Sequence, residues 1–126
     1  MSALRLSHRH PAAQTTVITV AGDVDAMGAK ELEIFIGQVR RAPGDQLVFD
    51  LSKAALLDAQ ALRVLLGTSN YAHRHGGEVR LVALQPGVLR LMDMITFNAL
   101  VPVYATLEHA VRACMAAGPP PATPER

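Results

Sequence analysis

Short runs of β-branched and aliphatic residues alternate along this chain with longer segments in which apolar residues recur every three or four positions. The short runs are typical of strands and the longer segments of helices. Strands that alternate with helices favour a largely parallel sheet with helices packed on it. This order therefore predicts an α/β fold, with a mixed sheet of four or five strands packed with about four helices.

The first predicted strand runs from Leu4 and Leu6 towards His10, and a turn over Pro11–Gln14 follows it. The remaining predicted strands are, in chain order, Thr15–Ala21, Gln46–Leu51, Val79–Ala83 and Leu100–Val103. We expect Gly22 to end the second strand. The third strand is a continuous apolar run, which is typical of a strand covered on both faces.

Four segments carry helical periodicity. They are Met27–Arg41, Ala59–His75, a segment from Pro86 to about Ile95, and a last helix marked by Leu107, Ala110, Val111 and Cys114. Asp58 is well placed to cap the second helix, because a carboxylate there accepts free backbone N–H groups. Gly76 and Gly77 follow that helix where a left-handed stop is common.

The length of 126 residues fits a single domain. Half of the residues are hydrophobic and 18% are charged, a balance that excludes a disordered chain. We expect a domain over residues 1–116 and a disordered, proline-rich tail over residues 117–126.

Charge and cysteine content narrow the class of partner and the compartment. The net charge is +1 and no dense basic stripe occurs, which argues against nucleic-acid binding. No apolar run approaches the roughly 18 residues that cross a bilayer, so we expect no direct membrane insertion. Cys114 is the one cysteine, which suits a reducing compartment, and we predict a cytoplasmic protein with Cys114 buried in the core.

Catalytic and cofactor motifs are missing from the sequence. There is no G-x-S-x-G nucleophile motif and no phosphate-binding loop. The pairs His8/His10 and His73/His75 have no third or fourth ligand in a zinc pattern, so we interpret them as solvated surface residues. We predict a protein that is not an enzyme and that has no catalytic residue, metal or cofactor.

Four aspartates end strands or begin helices: Asp23, Asp25, Asp50 and Asp58. In a parallel sheet such positions gather at the carboxyl ends of the strands, where functional sites are usually built. Each aspartate alone is explained by capping or turn formation. Their coincidence around one helix start favours a functional surface.

Three segments resemble the STAS domain, the fold of sulfate-transporter tails and anti-sigma factor antagonists. Ala21–Ala26 (AGDVDA) resembles the G-E-L-D stretch after the second strand of the family. Leu47–Leu66 resembles its V-L-D-L-S strand followed by D-S-S-G-L and a helix. Gly76–Val111 resembles its G-G-x-L-x-L-V strand, the next helix and the closing S/T-L-E-x-A-V helix. The resemblance extends from Leu4 to Ala113.

The resemblance implies a mechanism for this chain. Antagonists of the family bind an anti-sigma factor that is also a serine kinase of the histidine-kinase-like ATPase fold, called here a kinase-fold partner. Phosphorylation of the second serine of D-S-S-G releases that partner. In this chain the motif is Asp58-Ala59-Gln60-Ala61. The phosphoacceptor position is therefore Gln60, which has no hydroxyl and matches the uncharged, binding-competent form.

The loss of the serine leaves three interpretations open. The chain is a constitutive antagonist, it serves a complex without a sigma factor, or Ser52 is an unusual phosphoacceptor. A cytosolic STAS subunit of an ABC-type lipid transport complex is an alternative function. A small-ligand or nucleotide sensor is a third class of function. The sequence does not support it, because it contains no phosphate-binding loop. A homodimer is possible.

We expect a docking face made of the loop 23–27, the loop 52–58 and the first turns of the second helix, Ala59–Val64. Leu56 and Leu57 should pack beneath the second loop, and Lys53 and Arg63 should supply charge at the rim. The predicted partner-binding residues are Asp23, Asp25, Met27, Ser52, Lys53, Asp58, Ala59, Gln60, Arg63 and Val64.

Overall fold

The computed structural model describes residues 3–82, 85–86 and 101–117. Its strands are β1 Arg5–Ala12, β2 Thr15–Val24, β3 Gln46–Leu57, β4 Val79–Val82 and β5 Val103–Tyr104. Its helices are α1 Ala26–Val39, α2 Ala59–Arg74 and α3 Leu107–Ala117. The five strands form one sheet in the order β1-β2-β3-β4-β5. β1 is antiparallel to β2 and the other neighbours are parallel, so the expected mixed α/β sheet is confirmed.

Helices cover both faces of the central strands. Alternate side chains of β2, β3 and β4, among them Ile18, Phe49 and Leu81, pack against α1 and α2. The intervening residues, such as Val48, pack with Cys114 and the rest of α3 in a second, smaller cluster. Cys114 is buried, as predicted. This two-sided burial explains the continuous apolar run at the start of β3.

β3 continues to Leu57, six residues beyond its predicted end at Leu51. Its pairing with β2 shifts twice, once after Thr19↔Asp50 and once after Gly22↔Ala54, and each shift leaves an extra residue on β3. Such β-bulges break the alternation of a strand. The buried residues in this half of β3 accordingly recur at every third position. The prediction of a loop over residues 52–58 is therefore wrong, because every residue of this range except Asp58 belongs to β3.

β2 also runs further than predicted, through Gly22 to Val24. Gly22 has a φ of +95°, and a side chain there would collide with the carbonyl oxygen of Ala3. The glycine thus permits a close backbone approach inside the strand instead of ending it. The prediction of a loop over residues 23–27 is wrong except at Asp25, because β2 ends at Val24 and α1 begins at Ala26. β1 likewise extends through Pro11 to Ala12, and Gln14 in the turn has a φ of +60°.

The helices agree with expectation to within two residues where they are described. Gly76, with a φ of +87°, follows α2, and Gly77 donates its N–H to the Ala72 carbonyl at 2.8 Å, so the left-handed stop is confirmed. Three helices are described, one fewer than expected. The helix predicted from Pro86 to Ile95 lies outside the described residues except for Pro86. The tail predicted over 117–126 also lies outside them except for Ala117, which is the last residue of α3.

The predicted last strand is shifted: Leu100 lies outside the described residues, and β5 consists of Val103 and Tyr104. Among the described residues, no helix combines the length and the apolar character needed to span a bilayer.

Candidate functional site

Parallel pairing brings the starts of α1 and α2 to the same edge of the sheet. Val24 and Leu57 lie opposite each other as the last residues of β2 and β3. Each is followed by an aspartate and then by a helix. The backbone N–H of Asp58 donates to the carbonyl oxygen of Val24 at 3.1 Å. The amino ends of two helices therefore lie side by side at the carboxyl end of the parallel strands.

Both aspartates act as N-caps. Oδ1 of Asp25 accepts the N–H of Gly28 at 2.8 Å, and Oδ1 of Asp58 accepts the N–H of Ala61 at 3.0 Å. Each carboxylate satisfies a backbone donor that has no partner within the helix, and each opposes the positive end of a helix dipole. The capping interpretation is confirmed for these two residues.

Gln60 is the second residue of α2 and is exposed, as is Ala59 beside it. Ala61 faces inward and is fully buried. Arg63 lies one turn further along and is exposed, whereas Val64 is half-buried against the core. The amide of Gln60 is thus presented to solvent beside the Asp58 cap, at the position where the sequence resemblance implies a phosphoacceptor.

Two large apolar side chains are exposed near these caps. Met27, in the first turn of α1, is 77% exposed, and Leu56, near the end of β3, is 49% exposed. The prediction that Leu56 packs inward is wrong, because the second bulge turns it outward. Leu57 is buried, as expected. No sequence signal could have predicted that Leu56 is exposed, because the direction of its side chain depends only on the register of β3 against β2.

The first bulge is held by Asp50 and Ser52. Oδ1 of Asp50 accepts the backbone N–H of Ser52 at 3.1 Å and its hydroxyl at 2.8 Å. Nε2 of Gln85 donates to the carbonyl oxygen of Ser52 at 2.9 Å. Asp50 therefore has a structural role in the bulge. Ser52 and its neighbour Lys53 are exposed on β3, not in a loop.

Asp23 is half-buried near the end of β2, where it pairs with Leu56 in the ladder. It lines an open groove whose other lining residues are Ala3, Leu4, Asp25, Met27, Gly28 and Glu31. Of the predicted docking residues, Asp23, Asp25 and Met27 share this groove. Arg63 and Val64 line a separate groove between α1 and α2.

The guanidinium of Arg80 is buried on the face of the sheet that α3 covers, opposite the face covered by α1 and α2. Arg80 donates to Oε1 of Gln46 at 2.6 Å, to the hydroxyl of Tyr104 at 3.3 Å and to Sγ of Cys114 at 3.3 Å. It also pairs with Glu78 at 3.3 Å. Burial opposes the charged guanidinium, but the hydrogen bond with the Tyr104 hydroxyl and the electrostatic effect of the neighbouring Cys114 and Glu78 side chains outweigh it. The pKa of Arg80 is therefore raised.

Desolvation by burial raises the pKa of the Cys114 thiol, and the nearby Arg80 only partly offsets this effect. A protonated, buried thiol is a poor nucleophile. His8 and His10 are exposed with ring centroids 5.2 Å apart, and His73 and His75 are also exposed. In the described ranges, no three His, Cys, Asp or Glu residues are grouped so that they could hold a metal ion.

The model of the STAS domain family matches residues 7–110, a range that begins in β1, contains both capped helices and ends in α3. The chain belongs to the STAS domain family. The resemblance seen in the sequence is thereby confirmed.

Proteins similar to this STAS domain include anti-sigma factor antagonists. The chain is 24% identical over 89 residues to the anti-sigma F factor antagonist of Paenibacillus polymyxa, covering 70% of this chain and 76% of the relative. The crystal structure of an anti-sigma factor antagonist from Mycobacterium paratuberculosis matches with a TM-score of 0.79 at 26% identity, covering 90% of this chain and 95% of that one.

The Bacillus cell fate determinant SpoIIAA in its phosphorylated form also matches. The TM-score is 0.67 at 15% identity, and the match covers 86% of this chain and 98% of that one. At this identity the likeness is one of fold.

Proposed function

We propose that this STAS domain is a regulatory docking module of the anti-sigma factor antagonist type. It binds a kinase-fold partner through the paired starts of α1 and α2, and it lacks the usual serine switch. The observation that carries the proposal is the exposed amide of Gln60 beside the Asp58 cap. The antagonists among the similar proteins support the class of partner.

The docking face combines apolar contact area with polar groups. Met27 and Leu56 supply exposed apolar surface that can be buried on binding, and such area drives association. Lys53 and Arg63 are exposed, and we assign them to the rim of this face, where charges contribute more to the rate and specificity of encounter than to affinity. Asp25 and Asp58 hold the two helix starts in place, so the face is preorganised.

The neutral side chain of Gln60 keeps the docking face permanently able to bind the kinase-fold partner. Phosphorylation of a hydroxyl adds about −1.5 to −2 charges, which a docked partner must desolvate or repel. A glutamine accepts no phosphoryl group. We therefore infer that the amount of this protein, and not its phosphorylation state, sets how much partner is bound.

Binding to a purified kinase-fold anti-sigma factor tests the proposal, with titration calorimetry as the measurement. We expect the wild type and Gln60→Asn to bind alike, because both present a neutral amide. Gln60→Asp should bind at least about tenfold more weakly, since an unpaired buried charge costs more than 1.4 kcal/mol. Equal affinity for the Asp variant would place the contact elsewhere.

Mass spectrometry of the protein isolated from its cells tests the absence of the switch. We expect no phosphate on any residue from Ser52 to Ser69. Phosphate on Ser52 would contradict the non-switching interpretation while leaving the docking face intact, so the two parts of the proposal can fail separately.

A further inference from the structure

One flank of α3 carries an apolar ridge that the proposed docking face does not use. Ala110 and Cys114 face the sheet and are buried. Leu107, Val111 and Met115 follow one another at intervals of four residues and form what we call the α3 ridge. Leu107 and Val111 are half-buried, and Met115 is 61% exposed.

The α3 ridge forms one wall of an open groove of about 600 Å³, and Arg9 of β1 lies on the other wall. The groove exists because α3 packs over β2, β3, β4 and β5, while β1 lies beyond it at the edge of the sheet. The exposed Met115 and the half-buried Leu107 and Val111 leave apolar surface in this groove that a partner can bury.

The charges beside the ridge are self-complementary. Glu108 and Arg112 are the two Asp, Glu, Lys or Arg residues in α3. They are joined at 3.2 Å, and their side chains are 81% and 72% exposed. Because Glu108 precedes Arg112 by one turn, two such helices placed antiparallel bring the acid of each towards the base of the other.

We propose that the α3 ridge binds the α3 ridge of a second copy of this chain, antiparallel and about a two-fold axis. Ridges with a four-residue spacing interdigitate in the commonest class of helix packing. A two-fold interface requires one patch that complements itself, and α3 carries both the apolar ridge and the two opposite charges that this requires.

The dimer leaves the docking face free. α1 and α2 cover one face of the sheet and α3 covers the other, so each copy presents its Gln60 on the side away from the dimer contact. The inference is independent of the proposed partner, because a dimer forms or fails to form in the purified protein alone.

Sedimentation equilibrium of the full chain over a range of concentrations tests the dimer. We expect the wild type to approach twice its monomer mass of 13.5 kDa as concentration rises. Met115→Glu should shift it to monomer, because a carboxylate then stands in the apolar contact. A wild type that stays monomeric, or a Met115→Glu variant that still dimerises, would overturn the proposal.

A charge-reversal mixture tests the pairing itself. Arg112→Glu gives an all-acidic helix and Glu108→Arg an all-basic one, and each alone should be monomeric. Mixed in equal amounts, the two variants should form a heterodimer, since each side then meets its opposite charge. Circular dichroism checks that both variants fold, and a mixture of folded variants that stays monomeric would refute the proposed contact.

Discussion

The backbone N–H of Asp58 donates to the carbonyl oxygen of Val24 at 3.1 Å, across the boundary between β3 and β2. This bond joins the start of α2 to the end of the strand that precedes α1. Because Asp25 and Asp58 follow equivalent positions in the parallel ladder, the two helix starts are fixed relative to each other. The proposed docking face therefore depends on strand register as much as on its own side chains.

Removal of the Asp58 cap should lower stability. Asp58→Ala leaves the N–H of Ala61 without its side-chain acceptor, and we expect a loss of about 1 kcal/mol in the free energy of unfolding. Asp58→Ser is the control, because a serine oxygen also caps and should lose much less. Denaturant unfolding of both variants measures the difference, and equal losses would mean that the cap contributes nothing specific.

Gln60→Asp should leave the isolated domain as stable as the wild type, although we expect it to weaken docking. Gln60 is exposed in the first turn of α2, where a negative charge is tolerated by the helix dipole. Thermal unfolding followed by circular dichroism measures this. A clear drop in melting temperature would show that any loss of binding came from unfolding and not from the docking face.

Glycines at different positions should respond to alanine with opposite signs. Gly37 and Gly67 lie within α1 and α2, and a side chain at either would meet nothing within 4 Å. We expect Gly37→Ala and Gly67→Ala each to stabilise the protein by roughly 0.5–1 kcal/mol. Gly77→Ala should destabilise it, because its Cβ would lie 2.5 Å from the carbonyl oxygens of Gly44 and Asp45.

Denaturant unfolding of the three glycine variants decides this prediction. Stabilisation by Gly77→Ala, or destabilisation by the two helical variants, would contradict the packing described for these positions.

Arg80→Ala should be among the most damaging substitutions in the protein. Arg80 is 6% exposed. Its loss removes the hydrogen bond to Oε1 of the Gln46 side chain and leaves a cavity beneath α3. We expect a loss of at least about 2 kcal/mol in the free energy of unfolding. Arg112→Ala removes an exposed arginine from an ion pair of similar length. Measured at a concentration where the protein is monomeric, it should change stability by less than about 1 kcal/mol. Comparable losses in the two variants would be incompatible with this assignment.

Stability should fall at alkaline pH, in part through Cys114. Its thiol pKa is raised in the folded state, so its contribution is complete below the unfolded pKa of about 8.5 and is lost as pH rises through the folded pKa. The free energy of unfolding of Cys114→Ala should therefore decline less between about pH 8 and pH 10 than that of the wild type. Parallel declines would show that Cys114 does not contribute.

Much of the candidate site could be predicted because its signals are local. The Asp58 cap depends on a residue type next to a helical repeat, and the left-handed stop at Gly76 depends on a glycine after one. The replacement of the serines by Ala59 and Gln60 is visible by comparison with a motif. Leu56 could not be found in this way, because its exposure follows from a bulge in a paired strand.

Residue type and spacing along the chain were sufficient to predict the order of the described strands and helices, the identity of the capping residues and the neutral side chain at Gln60. Three features came from long-range packing instead: Ser52–Leu57 is strand, Leu56 faces outward and Arg80 is buried under α3. Bulges, register and two-sided burial arise from contacts with other strands and helices. No local pattern records those contacts.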